Sequence, residues 1–398
     1  MLTLFGYGIT TKAIAKKFGN CRIYDDKFSA VTADRYGNEF LASELFNPEN
    51  SILEVTSPGI PPSHELIQKA KNLISEYDLF AANMPYSIWV TGTNGKTTTT
   101  DMLGHLLKNR GAVTGGNIGT PLATLDDSAP MWILETSSFT LHYTNIASPN
   151  IYVILPITPD HISWHGSFEA YEEAKLKPLK LMQEGEVVIL PSKYADVPTR
   201  AMKILYESAQ DLAEYFEISL PKVHFKEPFL TDALLALGVT KILFDEIDYD
   251  RINSYSVGKH RLEEFTDAKG RVWINDSKAT NADATIAALR SYHEQKIHLI
   301  LGGDDKGASL AALFSQMEDM DVEIYAIGSN AHRIVQMSEE KNIPCHMCET
   351  LETAVSKIDP KHDKSSVAML SPAAASLDQF NSYAQRGESF LEFVKNLS

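Results

Sequence analysis

The sequence predicts an α/β protein of three domains, each built on a mostly parallel sheet. Short apolar runs such as Leu2 to Phe5, Ser87 to Val90, Ile151 to Leu155, Ile297 to Leu301 and Val367 to Leu370 alternate with stretches of helical apolar period. Ile151 to Leu155 is apolar throughout, as a strand covered on both faces must be. Several runs end in a Gly-rich or polar cluster, and the carboxyl ends of strands are where an open α/β sheet holds its ligands. At 398 residues the chain exceeds one ordinary core. The expected division is 1–85 (Rossmann-like), 86–256 (P-loop ATPase type) and 257–398 (a second Rossmann-like α/β domain).

Composition narrows the function classes. Hydrophobic residues at 44% and charged residues at 22% are those of a globular protein. A net charge of −16 argues against a broad nucleic-acid-binding surface while leaving room for a local anion pocket. No apolar run reaches the length of a membrane span, and Met1 to Gly6 reads as a strand start rather than a signal peptide, so a cytoplasmic location is expected. Three cysteines make no disulfide framework, and Cys345-x-x-Cys348 lacks the second ligand pair of a zinc site.

In the first domain, strand 2–5 leads into Gly6-Tyr7-Gly8-Ile9-Thr10-Thr11 and a helix to about Phe18. A second strand, Arg22 to Tyr24, ends in Asp25-Asp26-Lys27, the layout of a dinucleotide-binding βαβ unit. Thr11 stands where the third Gly belongs, so the motif points to some phosphate-bearing ligand more than to NAD. The strand Ile52 to Thr56 ends in the stiff turn Ser57-Pro58-Gly59-Ile60-Pro61-Pro62.

The second domain opens on the strongest signal in the chain. After the strand at Ser87 to Val90 come Gly92-Thr93-Asn94-Gly95-Lys96-Thr97-Thr98 and a helical stretch. Strand, Gly-rich turn and helix form a phosphate-binding loop, with Lys96 reaching the terminal phosphates and the Thr97 hydroxyl ligating Mg²⁺. Val90 occupies the place of the pattern's first Gly. Strand Met131 to Leu134 delivers Glu135-Thr136-Ser137-Ser138-Phe139, which puts a carboxylate where a Mg²⁺-directed acid belongs. His161 and His165 stand four apart, but Pro159 and Gly166 bracket them as a loop, so one His beside a Mg²⁺-nucleotide site fits better than a zinc pair. Read alone, Lys175 and Lys177 are solvated surface residues. Further on, 187–190 reads as a strand, and 199–215 and 228–238 as helices.

In the third domain, Lys259-His260-Arg261 precedes an apparent hairpin over 263–275. Polar clusters at Asn275 to Asn281, Gly302 to Gly307 and Ser371 to Ser376 end three strands of one sheet and make a binding edge. Phe390 to Leu397 reads as a closing amphipathic helix.

Taken in order, these motifs resemble the Mur ligases, the ATP-dependent amino-acid ligases of peptidoglycan synthesis, over nearly the whole chain. The run from Leu370 to Phe380 is similar to the D-glutamate-adding branch, and the Asp-Asn-Pro-Arg run of the meso-diaminopimelate-adding branch is absent. The resemblance implies a monomer that adds D-glutamate to UDP-N-acetylmuramoyl-L-alanine through an acyl phosphate and a tetrahedral intermediate. Gly8, Ile9, Thr10, Asp25, Asp26, Lys27, Ser57, Pro58, Gly59 and Ile60 would hold the uridine and diphosphate. Gly92 to Thr98 would hold the ATP phosphates, with Thr97 and Glu135 near one Mg²⁺. Asn117, Ser137 and His161 would line the reacting centre, where a second Mg²⁺ meets His161 and a carbamylated Lys175. Arg261 and Asp276 would grip ATP, while Lys278, Thr280, Lys306, Ser376, Leu377 and Tyr383 face D-glutamate. Lys96, Glu135, His161 and Lys175 would be the catalytic set.

The chain also departs from that pattern: the segment after Lys180 is short, Asp232 and Pro228-Phe229 replace the adenine-side residues, and Ala374 replaces a common Cys. Competing readings are a folylpolyglutamate synthase-like ligase, a P-loop ATPase switch and, on the broken Gly motif alone, a dehydrogenase.

Overall fold

Eighteen strands fall into three six-stranded sheets in the computed structural model, which describes residues 1–397. The first sheet holds β1 (Leu2–Phe5), β2 (Cys21–Tyr24), β3 (Thr32–Ala33), β4 (Glu39–Leu41), β5 (Glu54–Thr56) and β6 (Leu73–Ile74), in the order β3-β4-β2-β1-β5-β6. Its only antiparallel pair is β3 with β4. The second holds β7 (Tyr86–Thr91), β8 (Ala112–Gly116), β9 (Met131–Glu135), β10 (Ile151–Ile154), β11 (Val187–Pro191) and β12 (Met202–Tyr206). It is parallel throughout in the order β12-β11-β10-β7-β9-β8. The third holds β13 (Glu263–Thr266), β14 (Val272–Asn275), β15 (Lys296–Gly302), β16 (Val322–Ile327), β17 (Cys345–Glu349) and β18 (Ser366–Leu370). There the order is β13-β14-β18-β15-β16-β17, and the β13–β14 hairpin is the antiparallel edge.

The chain divides into two compact units, Met1–Phe225 with Phe229–Tyr255, and Lys226–Pro228 with the chain from Ser256. The first two sheets share a unit because they share a core. Leu4, Ile14 and Val55 from the first sheet's layer join Trp89, Trp132 and Tyr152 from the second in one buried cluster. Tyr77 and Phe80, on the connecting helix Glu76–Phe80, complete it by packing edge-on to Trp89 and Trp132. The opposite face of the second sheet is covered by the helices Lys96–Leu107, Ala209–Phe216 and Phe229–Phe244.

Several elements differ from the sequence reading. The stretch 199–215 is a strand followed by a helix. Ile204 and Tyr206 alternate inward on β12, and Ser208 then caps the helix Ala209–Phe216 through a reciprocal pair with Asp211. The helix expected over 228–238 continues to Phe244. The closing helix starts earlier, at Tyr383, because the Ser382 side chain accepts from Gln385 N, and it runs to Lys395. One helical turn, Ile162–His165, occupies the loop between Pro159 and Gly166. No helix among the described residues is long and apolar enough to cross a membrane.

Candidate active site

The phosphate loop sits at the carboxyl end of β7, the middle of the second sheet. Val90 stands at the pattern's first Gly position because this residue is still strand, paired with Val153 on one side and Glu135 on the other. The turn proper is Gly92 to Gly95. Gly92 has φ +147°, and a Cβ there would lie 2.5 Å from the Leu155 Cβ; Gly95 has φ +81°, with Asp232 Oδ1 at 2.5 Å from the same position. Only glycine meets both demands without strain. Thr93 stitches the loop to the next strand: its hydroxyl donates to Thr158 O at 3.0 Å, accepts from Thr158 N at 2.9 Å and lies 3.0 Å from the Tyr171 hydroxyl. No side chain caps the helix Lys96–Leu107, so its first N–H groups face the hollow of the loop, as an anion site requires.

Two lysines converge on one carbonyl. Lys96 Nζ donates to Gly92 O at 3.0 Å and Thr93 O at 2.7 Å, while Lys175 Nζ donates to Gly92 O at 2.8 Å and Thr91 Oγ1 at 3.3 Å. Lys175 is 1% exposed, which corrects the reading of it as a solvated surface residue. Its helix, Phe168–Leu176, turns that face into the sheet, and the Tyr171 ring lies 4.8 Å from the ammonium. Burial, reinforced by the nearby Lys96 charge, holds the Lys175 amine well below the ordinary lysine range.

Glu135 ends β9 beside the loop, 3% exposed. Asn117 Nδ2 donates to one carboxylate oxygen at 2.6 Å, and the other, Oε2, is buried without a partner. A bare buried carboxylate oxygen beside a phosphate loop is a site completed by a cation. Asn117 itself is placed by its backbone N–H, which donates to Glu135 O at 2.9 Å.

His161 begins the short helix in the left-handed region, φ +54°. Its backbone N–H donates to Asp160 Oδ1 at 2.8 Å, its half-exposed ring stands edge-on to Phe139 at 4.7 Å between centroids, and Tyr171 lies behind it. His165 turns inward: Nε2 lies 3.0 Å from Ser138 Oγ, and burial with the neighbouring cationic groups pushes it down to about 4. Ser137 caps the helix Ser138–Tyr143 through Thr140 N.

At the carboxyl edge of the first sheet, Thr11 closes the Gly motif in place of a third glycine, its hydroxyl donating to Gly6 O at 2.6 Å. Asp25 is occupied in shaping the loop, accepting Tyr7 N at 2.6 Å and Lys27 N at 2.9 Å. Asp26 accepts from Ser43 and lies 3.0 Å from His64 Nε2. A cavity of about 160 Å³ brings Ile9, Thr10 and Pro58 together with Asn117. Glu76, Tyr77, Thr140 and Tyr143 share its wall and were not legible as site residues.

In the other unit, Asp276 directly follows β14 and is buried; Ser371 Oγ donates to it at 2.7 Å, and burial pushes its carboxyl up to about 7. Lys278 lies over the Tyr383 ring at 4.1 Å. Thr280, Lys306 and Leu377 are exposed and Ser376 is buried. Arg386 was missed: 1% exposed, it donates to Ser277 Oγ, Ser277 O and Ala374 O, tying the Asp276 turn to the run after β18. Asp232 accepts from Thr99 Oγ1 at 3.0 Å and so backs the phosphate loop.

A phosphate loop beside a buried acid with one oxygen open is what an ATP-dependent ligase requires of its nucleotide site. The comparisons agree: the Mur ligase middle domain matches residues 90–216, and the Mur ligase, glutamate ligase domain matches 260–374. The chain belongs to the Mur ligase family, ATP-dependent ligases of peptidoglycan precursor synthesis. The UDP-N-acetylmuramoylalanine--D-glutamate ligase of Campylobacter jejuni (strain 81-176) is 53% identical over 400 residues, covering 100% of both chains. The ligase of the same name from Helicobacter pylori (strain HPAG1) is 44% identical over 417 residues, covering 99% of each. Among solved structures, the MurF ligase of Thermotoga maritima in complex with ADP superposes with a TM-score of 0.61 at 16% identity, covering 87% of this chain and 88% of that one, a likeness of fold.

Proposed function

We propose that the chain joins D-glutamate to UDP-N-acetylmuramoyl-L-alanine, with ATP converted to ADP and phosphate, as a cytoplasmic monomer. In this reading residues 1–85 bind the sugar nucleotide, 86–256 bind ATP and 257–398 bind the amino acid. The observation that carries it is the meeting of the Gly92–Thr98 loop, buried Lys175 and the open oxygen of Glu135 at one sheet edge, in a chain 53% identical end to end to relatives of that activity.

A carboxylate does not condense with an amine in water; phosphorylation converts its oxygen into a leaving group. The chain's part is to bring charges together and hold them. The loop amides and Lys96, released from Gly92 O and Thr93 O, receive the phosphates. Thr97 and Glu135 would hold one Mg²⁺, and His161 with Lys175 a second; bound there, the ions would offset negative charge on the phosphoryl group. Among the described residues no three His, Cys, Asp or Glu side chains form a metal cluster by themselves. A carbamate on Lys175 supplies the missing anionic donor: the neutral amine bonds to the carbon of CO₂ and releases one proton. Burial, which disfavours the charged form of the Lys175 amine, favours that addition. Asn117 orients Glu135, and Lys278, Thr280, Lys306, Ser376, Leu377 and Tyr383 receive D-glutamate, with Arg261 and Asp276 on the nucleotide.

The test is phosphate release from ATP with UDP-N-acetylmuramoyl-L-alanine and, in turn, D-glutamate, L-glutamate, meso-diaminopimelate or no amino acid. Release with D-glutamate only is the expected outcome. Release without an amino acid would make the chain an ATPase and withdraw the amino-acid site.

A further inference from the structure

Tyr152 carries a hydroxyl into a strand that is otherwise apolar. It lies on β10, flanked by Trp89 on β7 and Val188 on β11, and is 0% exposed. The Trp89 ring stands edge-on to it at 6.5 Å between centroids. Phenylalanine would fill the same space, so packing alone leaves the oxygen unexplained, and a buried tyrosine hydroxyl needs a partner. Its O–H donates to the backbone carbonyl of Lys175 at 2.6 Å, and the hydroxyls of Thr91 and Thr136 are its other hydrogen-bonding neighbours. Thr91 Oγ1 in turn accepts from Lys175 Nζ at 3.3 Å. Lys175 is therefore held at both ends, by Tyr152 at its carbonyl and by Thr91 with Gly92 O at its amine.

The position of that carbonyl explains why it takes a donor from another strand. Lys175 is the next-to-last residue of the helix Phe168–Leu176, and a tighter turn, Lys177–Lys180, follows. In that tighter register the N–H owed to Lys175 O is the one three residues on, at Pro178, which has none. Helix ends fray, and a flexible four-carbon stem on a fraying end would not keep its amine at one spot. We propose that Tyr152 is a positioning residue for the ligase reaction: by fixing the backbone at Lys175 it keeps Nζ against Gly92 O, where the amine takes up CO₂. This rests on the Lys175 carbamate proposed above. In that step the amine nitrogen bonds to the carbon of CO₂, one C–O π pair moves onto oxygen, and one N–H proton leaves to water. The new oxygens serve as metal donors only when they are held at one place, so the backbone anchor and the modification act together.

The test compares the full chain with its Tyr152→Phe variant, which loses one O–H and keeps the ring. Both are equilibrated with isotopically labelled bicarbonate at constant pH, and the carbamate carbon is followed by carbon NMR, with Lys175→Ala assigning the signal. Tyr152→Phe is expected to need about tenfold more bicarbonate for half-modification. In air-equilibrated buffer its kcat falls about tenfold and recovers on added bicarbonate, while KM for ATP stays. A tyrosine that only filled the core would alter the melting temperature and leave the bicarbonate dependence alone. A folded Tyr152→Phe with the parent's bicarbonate dependence overturns the proposal, as does a loss of kcat that bicarbonate does not repair. Absence of the carbamate signal from the parent would instead strike the Lys175 reading itself, and this inference with it.

Discussion

The carboxyl edges of the second and third sheets are both lined by polar residues, but they are finished differently. On or beside the second sheet's edge, Thr98, Thr100, Glu135, Thr158, Trp164 and His165 each leave a buried polar atom without a partner, six of the nine such atoms' residues described. At the third sheet's edge the buried groups close on one another: Arg386 on Ser277 and Ala374, Ser371 on Asp276, Asn275 on His260. Each buried polar atom left unmade costs about 1–3 kcal/mol. Such a cost persists where a ligand removes it, which supports the proposal of a phosphate and metal site at the second edge. The third is a braced scaffold that leaves Thr280, Lys306 and Leu377, the residues proposed above to meet D-glutamate, at the surface.

The comparison breaks first at Glu135. Glu135→Ala is expected to lower kcat about 10³-fold while leaving thermal stability equal or higher, since it removes an unmatched buried acid. A loss below about tenfold would mean that the open oxygen is not a ligand site. Arg386→Ala is expected to do the opposite, costing about 3 kcal/mol in denaturant unfolding because it strands several buried acceptors. Unchanged stability would remove the distinction between the edges.

The smallest effect lies away from both edges. Burial pushes His298 down to about 4, so its contribution to stability is full above 6.5 and is lost as pH falls from 6.5 towards 4. Burial alone would raise Glu323, but Lys361 and His346 more than reverse that and hold it at about 2, so its contribution is lost only as pH falls from 4.5 towards 2. The difference between the melting curves of the parent and of His298→Gln should therefore shift in favour of the variant as pH falls from 6.5 to 4, because the variant lacks this loss. An unaltered profile would assign the loss elsewhere.

The phosphate loop was legible because strand, glycines and helix are contiguous, and local backbone geometry alone demands them. Glu135 was legible for the same reason, as the last residue of an apolar run. Lys175 was not: in its own helix it looks solvated, and only packing against Thr91, Gly92 and Tyr171 buries it. The strand Met202–Tyr206 was misread because its pairing with β11 outweighed its local apolar spacing. Arg386 and Glu76 escaped because their partners lie far off in the chain, at Ser277 and Ala123.

The amino-acid sequence by itself determined the α/β class, the order of strands and motifs, and the residue types that meet phosphate, since these follow from short-range periodicity and turn chemistry. Tertiary structure decided which groups lose water. Lys175, Glu76 and Asp276 differ from ordinary surface residues only through burial, and burial is set by contacts between segments that the chain brings together on folding.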